Sequence, residues 1–256
     1  MRTVIKRRAL KSTTKSQQVY ENLYEEIKHM SAGNNKLPAE EVLADVYGVS
    51  RATIRDAIVR LRMERIISSH QGIGTFGHPS AFQLENRIDL NTDFGVMLKQ
   101  QYKNVTVSTR WADCNDTTHI PEYGKNFGNR PAIQCDWIYS AESLKRLYTR
   151  FYFPKDLITK PLDKNIKVQS LPEFSKKYML RSNDPEGLRN SIDYCSMKCI
   201  VKFDHNACIE LGIQEETPLL CFDEVFYNIS DNVVGVGEVF VHPNNLVISL
   251  VAPFNM

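Results

Sequence analysis

The segment from Pro38 to Phe76 most narrowly limits what this chain can fold into. Two short amphipathic stretches flank Gly48, and the second follows Ser50, a residue type that caps helix N-termini well. In that second stretch, apolar residues recur at positions i, i+3, i+4 and i+7, the spacing of one buried helical face. These residues are Ile54, Ala57, Ile58 and Leu61. The pattern predicts two helices joined by a tight turn.

The residues around these stretches extend the helical prediction. Apolar residues at helical spacing begin at Val19, and Gly33 supplies a stop signal for that earlier helix. For the first helix of the pair, Pro38 is expected at the first helical position, where proline is tolerated. Its predicted apolar stripe consists of Val42, Leu43 and Val46.

Three arginines lie beside the buried face of the last helix. At about 100° per residue, Arg51, Arg55 and Arg62 fall within roughly 40° of one another. A second helix that opens with arginines is how helix-turn-helix proteins present base-reading side chains to the major groove. The guanidinium group pairs in bidentate fashion with guanine edges or phosphates. The alternative is that these arginines only solvate an amphipathic helix.

A glycine-containing hairpin is predicted directly after these helices. A short apolar strand is followed by a turn with Gly72 and Gly74, and then by a returning Thr75-Phe76. Two glycines at this spacing allow positive φ and a close approach of the backbone to another chain. The hairpin and the helices, in this order, predict a winged helix-turn-helix that binds DNA.

Charge, hydropathy and cysteine usage limit the partners. Residues 1–80 hold 13 Lys and Arg against 8 Asp and Glu, and begin with a basic arm at residues 1–15, whereas residues 81–256 hold 19 against 22. This division predicts a polyanionic partner for the N-terminal part only. No run of about 18 apolar residues and no apolar signal segment occurs. The six scattered cysteines favour reduced thiols, so we expect a cytoplasmic protein with no membrane partner.

Residues 17–77 closely resemble the GntR family of bacterial winged-helix transcription regulators. The motifs that carry the resemblance are LPAEEVLADVYGVSRATIRDAIVRL and HQGIGTF. It implies that Arg51 and Arg55 contact bases and phosphates, and that Gln71 with Gly72 enters the minor groove. The complete set of predicted DNA-binding residues is Ser50, Arg51, Thr53, Arg55, Arg62, Gln71, Gly72 and Gly74.

Two residues depart from the family pattern. The family usually has an arginine that contacts DNA at the position of Glu41, and a glutamate there would repel a phosphate. Ala52 stands where many members have threonine. The departures imply either a shifted operator preference or weaker binding that the basic arm at residues 1–15 compensates.

The pattern changes beyond a predicted linker at residues 79–88. Strands are predicted near 105–114, 132–139, 146–153, 191–202, 218–228, 233–241 and 246–253, and helices near 92–103, 117–127, 169–179 and 204–211. Several strands follow one another without a helix-length segment between them. We therefore expect an α+β fold in which the winged helix-turn-helix, residues 16–78, precedes a domain at residues 89–256 with a largely antiparallel sheet.

The C-terminal domain resembles the UTRA effector domain of the HutC subfamily, which has the chorismate-lyase-like fold. The motifs are TDF at 92–94, YTRFYFP at 148–154 and ACIELGIQEETPLL at 207–220. The resemblance implies a homodimer whose inner sheet face binds a small effector, commonly a sugar phosphate or another small acid. Arg150, Glu238 and Arg110 are the candidate effector ligands. The alternative is that each is a rim charge or a member of a buried ion pair.

Other chemistries have weaker support. Cys195, Cys199, Cys208 and His205 could suit tetrahedral zinc, but their spacing is not that of zinc knuckles. No phosphate-binding loop and no signature of a catalytic nucleophile occurs. We therefore predict no catalytic residue, metal or cofactor.

The sequence thus predicts a ligand-responsive transcription regulator, a repressor by family default. It would bind a pseudo-palindromic operator in double-stranded DNA as a homodimer. The alternative is a DNA-binding protein whose C-terminal domain is a lyase-like enzyme or has lost ligand binding.

Overall fold

A computed structural model describes residues 14–31, 33–90, 93–162, 168, 170–179 and 191–252. The described chain forms two compact units. The N-terminal unit holds the residues up to Leu90 and those from Ser249 onward, and the C-terminal unit lies between them. The basic arm lies outside the described residues except for its last two positions. None of the described helices combines the length and hydropathy needed to cross a membrane.

The N-terminal unit contains three helices and a two-stranded hairpin. Its elements are α1 (Lys15–Lys28), α2 (Glu40–Tyr47), α3 (Arg51–Met63), β1 (Ile67–His70), β2 (Gly74–Gly77) and a 3₁₀ turn (Pro79–Gln83). The predicted face of α3 is confirmed, because Ile54, Ala57, Ile58 and Leu61 are all buried. They pack with Leu23 and other apolar residues of the N-terminal helices in one core. The strands β1 and β2 pair antiparallel, as predicted.

The stripe predicted for α2 is partly wrong. Leu43 is buried, whereas Val42 and Val46 are 50% and 71% exposed. The helix has only 8 residues and begins at Glu40, so Pro38 precedes it rather than occupying its first position. A helix this short turns one narrow face to the core, and Ala44 accompanies Leu43 there.

The segment predicted as a linker, residues 79–88, packs within the N-terminal unit. The Phe82 ring lies 4.8 Å from that of Tyr24, edge to face. Arg87 is buried and donates a hydrogen bond of 2.9 Å to the carbonyl of Glu64. A buried guanidinium satisfied by the chain is a feature of folded structure rather than of a free linker.

A strand was predicted at 246–253. Residues 246–252, the part of this segment that the structure describes, do not form one, so the prediction is wrong there. Ser249 makes one isolated parallel bridge with Arg87, and its backbone exchanges hydrogen bonds with Asn86 and Ile88. These contacts place Ser249 with the N-terminal unit, outside the sheet of the C-terminal unit. A segment that leaves the sheet cannot continue its ladder of hydrogen bonds.

The C-terminal unit is built on a six-stranded antiparallel sheet in the order β3-β4-β5-β8-β7-β6. The strands are β3 (Val105–Cys114), β4 (Ala132–Ala141), β5 (Leu144–Pro154), β6 (Tyr194–Lys202), β7 (Leu219–Tyr227) and β8 (Val233–Val241). The helices are α4 (Phe94–Gln101), α5 (Pro121–Phe127), α6 (Leu171–Phe174, continued by a π-helical turn Ser175–Met179) and α7 (His205–Leu211). This confirms the predicted α+β class and the antiparallel sheet.

The sheet has two different faces. On the first, Tyr123 of α5 and Cys208 of α7 belong to separate apolar clusters. A row of charged side chains crosses this face, which we call the charged face. On the other, phenylalanine rings stack against α4 and α6, as shown by Phe153 and Phe174 at 5.1 Å. We call this the aromatic face.

Gly237 gives these rings room on the aromatic face. A Cβ atom at this position would lie 2.4 Å from Cδ1 of Phe151. We expect Gly237→Ala to destabilise the protein by about 1–3 kcal/mol, because a packed core cannot absorb the added methyl group. Thermal unfolding provides the measurement. The matched control is Gly124→Ala in α5, where a Cβ meets nothing within 4 Å and alanine favours the helix. Equal melting temperatures for the two variants would contradict this explanation.

Candidate nucleic-acid interface

The N-terminus of α3 is capped and open to solvent. Ser50 is its N-cap, and the Ser50 hydroxyl accepts a hydrogen bond of 3.2 Å from the Thr53 amide. The two hydroxyl groups are 2.9 Å apart. Capping fixes the first turn of the helix, so that Arg51 and Arg55 extend from an ordered backbone. Both arginines are exposed, as a base-reading helix requires.

Each of these arginines is paired with a carboxylate of α2. Arg51 Nη1 lies 2.6 Å from Glu41 Oε1, and Arg55 Nη2 lies 3.2 Å from Glu40 Oε2. The two guanidinium side chains remain 57% and 63% exposed. Exposed ion pairs are worth at most about 1 kcal/mol, so phosphates or guanine edges can replace these carboxylates.

Arg62 connects α3 with the hairpin instead of standing free. Its Nη2 donates a hydrogen bond of 2.8 Å to Ser69 Oγ on β1, and Ser69 Oγ lies 2.9 Å from Thr75 Oγ1 on β2. This contact fixes the hairpin relative to the recognition helix. Whether Arg62 also contacts DNA stays a prediction.

The tip of the hairpin projects into solvent. Gln71, Gly72 and Ile73 are all exposed, and Ile73 closes the turn by donating its amide to the His70 carbonyl at 3.1 Å. Gly72 has φ of +74° and Gly74 has φ of +129°, so both positions use the backbone freedom that the sequence predicted. The tip is therefore free to approach a groove.

Sequence reasoning missed Lys36, which lies beside the hairpin. Its neighbour Leu37 donates a backbone hydrogen bond of 2.8 Å to Thr75, and the Lys36 ammonium lies 5.9 Å from the Phe76 ring centroid. Lys36 is exposed and adds a cation to this surface. No local pattern marks it, because only the folded chain brings residues 35–37 alongside the hairpin.

On the charged face, charged residues of neighbouring strands pair across the sheet. Arg110, Asp136, Arg150, Glu238 and Asp223 are successive register partners from β3 to β7. The structure thus brings the predicted effector ligands Arg150 and Glu238 together. They face each other, with Arg150 Nη2 at 2.7 Å from Glu238 Oε2.

Arg150 is also held by a second carboxylate. Its Nη2 lies 2.6 Å from Asp204 Oδ2, at the N-cap of α7. Burial alone would lower the pKa of Arg150, but the carboxylates of Glu238 and Asp204 raise this pKa above its ordinary value. Arg110, the third predicted ligand, is likewise paired with Glu210 at 2.5 Å. The two predicted arginine ligands therefore already have carboxylate partners within the chain.

A cavity of about 460 Å³ opens beside Arg150. Lys202, which sequence reasoning did not single out, lies in its wall with its Nζ 2.6 Å from Asp223 and 2.7 Å from Glu238. Arg150 and Lys202 thus face three carboxylates, those of Glu238, Asp204 and Asp223. The site therefore has no surplus positive charge. The structure does not support the expectation that Arg150 presents an unpaired guanidinium group to an anion.

The other candidate chemistries find no geometric support. Within the described residues, no group of three His, Cys, Asp or Glu side chains is placed to hold a metal ion. No disulfide joins the six cysteines, all of which lie in the described part of the chain.

Comparisons with known proteins agree with the N-terminal geometry. Residues 15–76 match the model of the gntR family of bacterial regulatory proteins. A search of curated proteins gave no match to this chain.

Solved structures show a similar fold. YydK of Bacillus subtilis, described as a possible transcriptional regulator, is 18% identical with a TM-score of 0.69, covering 95% of this chain and all of YydK. PhnF of Mycobacterium smegmatis is 14% identical with a TM-score of 0.49, covering 93% of this chain and all of PhnF. The effector domain of PhnF is 11% identical, with a TM-score of 0.47, over 63% of this chain and 94% of that domain.

The gntR model describes bacterial regulatory proteins. Residues 15–76 are thus a winged helix-turn-helix domain of the gntR type, followed in this chain by an antiparallel-sheet domain in the arrangement of the YydK fold.

Proposed function

We propose that this chain is a homodimeric transcription regulator of the HutC type, a repressor, acting in the bacterial cytoplasm. The two N-terminal domains bind successive major grooves of a pseudo-palindromic operator. The C-terminal, UTRA-like domain binds a small effector that changes the affinity for DNA. A coupling of about 1–3 kcal/mol between the two sites is typical of such regulation.

The observation that carries this proposal is the surface formed by α3 and the hairpin. Arg51 and Arg55 extend from the capped start of α3, and Arg62 fixes the hairpin to the same helix. One element suited to the major groove and one suited to the minor groove are therefore part of the same rigid body.

Glu41 limits the affinity for DNA in this arrangement. It holds Arg51 at 2.6 Å and adds a negative charge to the surface that faces phosphates. We expect Glu41→Gln to bind DNA about 2- to 5-fold more tightly, because the exposed pair competes with DNA by up to about 1 kcal/mol. The matched control is Glu25→Gln on α1, whose partner is Lys28. Fluorescence anisotropy with a labelled duplex provides the measurement, and equal affinities for the two variants would contradict this role of Glu41.

Selection from a random duplex library tests the proposed function. The purified full chain should enrich one motif with two inverted half-sites whose centres lie about one helical turn, or a multiple of it, apart. Sedimentation of the protein with the selected duplex should give two chains per duplex. Enrichment of no motif would refute the regulator, and a single half-site with one bound chain would refute the dimer.

A further inference from the structure

The aromatic face contains a second, smaller cavity of about 150 Å³. Its walls include the aromatic residues Phe94 of α4, Tyr139 of β4 and Phe226 of β7. The polar side chains that line it include Asp93, Thr149 and Glu224. All of these residues belong to the C-terminal unit, and none is part of the charged row.

Glu224 is the unusual group in this cavity. It is only 3% exposed, and within the described residues its carboxyl group makes no hydrogen bond and no ion pair. On β5, which β8 separates from β7, the Thr149 hydroxyl is 1% exposed and also lacks a hydrogen-bond partner in the described chain. Buried polar groups of this kind are normally satisfied, so their exceptions need an explanation.

Among the described residues that line this cavity, the charged side chains are all carboxylates. Burial, and to a smaller extent the neighbouring Asp93 carboxylate, raise the pKa of Glu224 to about 8. Burial also raises the pKa of Asp93, whose side chain caps α4 through the Val96 amide at 3.1 Å. No basic side chain is among the residues that line this cavity in the described chain.

We propose that this cavity binds the effector, and that the effector is a small organic cation: a primary amine on a compact apolar or aromatic body. The ammonium group would donate to Glu224 and Thr149, both of which lack a hydrogen-bond partner among the described residues. Aromatic rings attract cations through their faces, and Tyr139 and Phe226 supply such faces. A cavity of roughly 150 Å³ holds a molecule of about the size of benzene.

An anion is disfavoured at the same place. A sugar phosphate or carboxylate would put a negative charge beside Asp93 and would oppose the ionisation of Glu224, in surroundings where charge is weakly screened. The charged face offers no surplus positive charge either. The effector class that the structure supports is therefore opposite in sign to the small acid implied by the family resemblance. The effector role rests on the proposed regulator function, whereas binding to the cavity does not.

Three molecules of nearly the same shape test the sign of the ligand. Benzylamine, benzyl alcohol and benzoate carry a positive, neutral and negative group on the same ring. The amine probes are benzylamine, butylamine and cyclohexylamine at millimolar concentration. We expect at least one of them to bind the full-length protein in calorimetric titration and to raise its melting temperature. Benzyl alcohol and benzoate should have little effect. Binding of the amine should release a proton to the buffer. Calorimetric titrations in buffers of different ionisation enthalpy would detect this release.

Glu224→Gln tests the site. It keeps the shape and removes the charge, so the amine should bind about 10- to 100-fold more weakly. The control, Asp113→Asn, removes an exposed carboxylate on β3 that pairs with Lys155, and the affinity for the amine should be unchanged. Binding of benzoate but no amine, equal amine affinity in Glu224→Gln, or no binding by any amine of the series would each overturn the proposal.

Operator binding separates this inference from the proposed function. If the amine binds the cavity but leaves the affinity for the selected duplex unchanged, the cation site stands and its effector role fails. If the protein selects no duplex at all, the regulator fails while the binding result is unaffected. If DNA affinity responds to an anion and to no amine, the regulator stands and the assignment of a cation as its effector is refuted.

Discussion

Replacing Arg51 and Arg55 together with alanine is expected to lower the affinity for the selected duplex by roughly 100-fold or more, since each bidentate base contact contributes about 1–3 kcal/mol. Both side chains are exposed and their partners are exposed or half-buried carboxylates, so the variant should keep its fold. Mobility shift with the selected duplex measures the affinity, and a thermal melt checks the fold.

Arg60 provides the matched control on the same helix. Its guanidinium lies 3.8 Å from the Tyr20 ring centroid and bonds Gln17, so it faces α1. Arg60→Ala removes one positive charge from α3 without touching the proposed DNA-reading face, and we expect a loss of only a few-fold. If Arg60→Ala weakens binding as much as the double variant does, net charge rather than the face of α3 explains DNA binding.

Glu224→Gln is expected to make the protein more stable at alkaline pH and to flatten the dependence of its stability on pH. The pKa of Glu224 is about 8 in the folded protein against 4.5 for the ordinary side chain. The unfolded chain therefore loses this proton at lower pH than the folded chain does. Wild-type stability falls as pH rises from about 4.5 to 8 and is not changed further by this group above that range.

The glutamine variant cannot ionise, so this loss disappears. At pH 8 its free energy of unfolding should exceed that of the wild type by about 2–4 kcal/mol, whereas at pH 4 the two should be similar. Urea denaturation at both pH values measures this, with Asp113→Asn as control. Asp93 and Tyr139 also face Glu224, and their titration remains in both proteins. If the free energy of unfolding depends on pH in the same way in the wild type and in Glu224→Gln, this result would contradict the burial of an isolated carboxyl group.

Local patterns were sufficient to predict the N-terminal domain. The buried face of α3, its Ser50 cap and the glycines of the hairpin depend on residues within one or two turns of each other. Strands β3, β4, β5, β7 and β8 were also predicted from short runs rich in apolar residues, which alternate in β4 and are nearly continuous in β5, β7 and β8. The exposure of Val46 was missed, because the length of α2 and its contacts depend on the rest of the domain.

The C-terminal sites depend on strand register, which no local pattern contains. Asp223 and Glu224 are adjacent in sequence, yet one joins the charged row and the other faces the aromatic cavity. A shift of one residue in register would exchange them. In the same way, no local pattern reveals that Arg150 pairs with Glu238, 88 residues away in the chain.

Hydrogen–deuterium exchange of the full protein, with and without the selected duplex, tests the central claim most directly. If α3 and the hairpin both bind the duplex, adding the duplex should slow amide exchange in residues 50–55 and in residues 70–74. The Arg51→Ala, Arg55→Ala variant should lose protection in both segments. Unchanged exchange in these two segments, with protection by the duplex at other surfaces of the chain, would contradict the account.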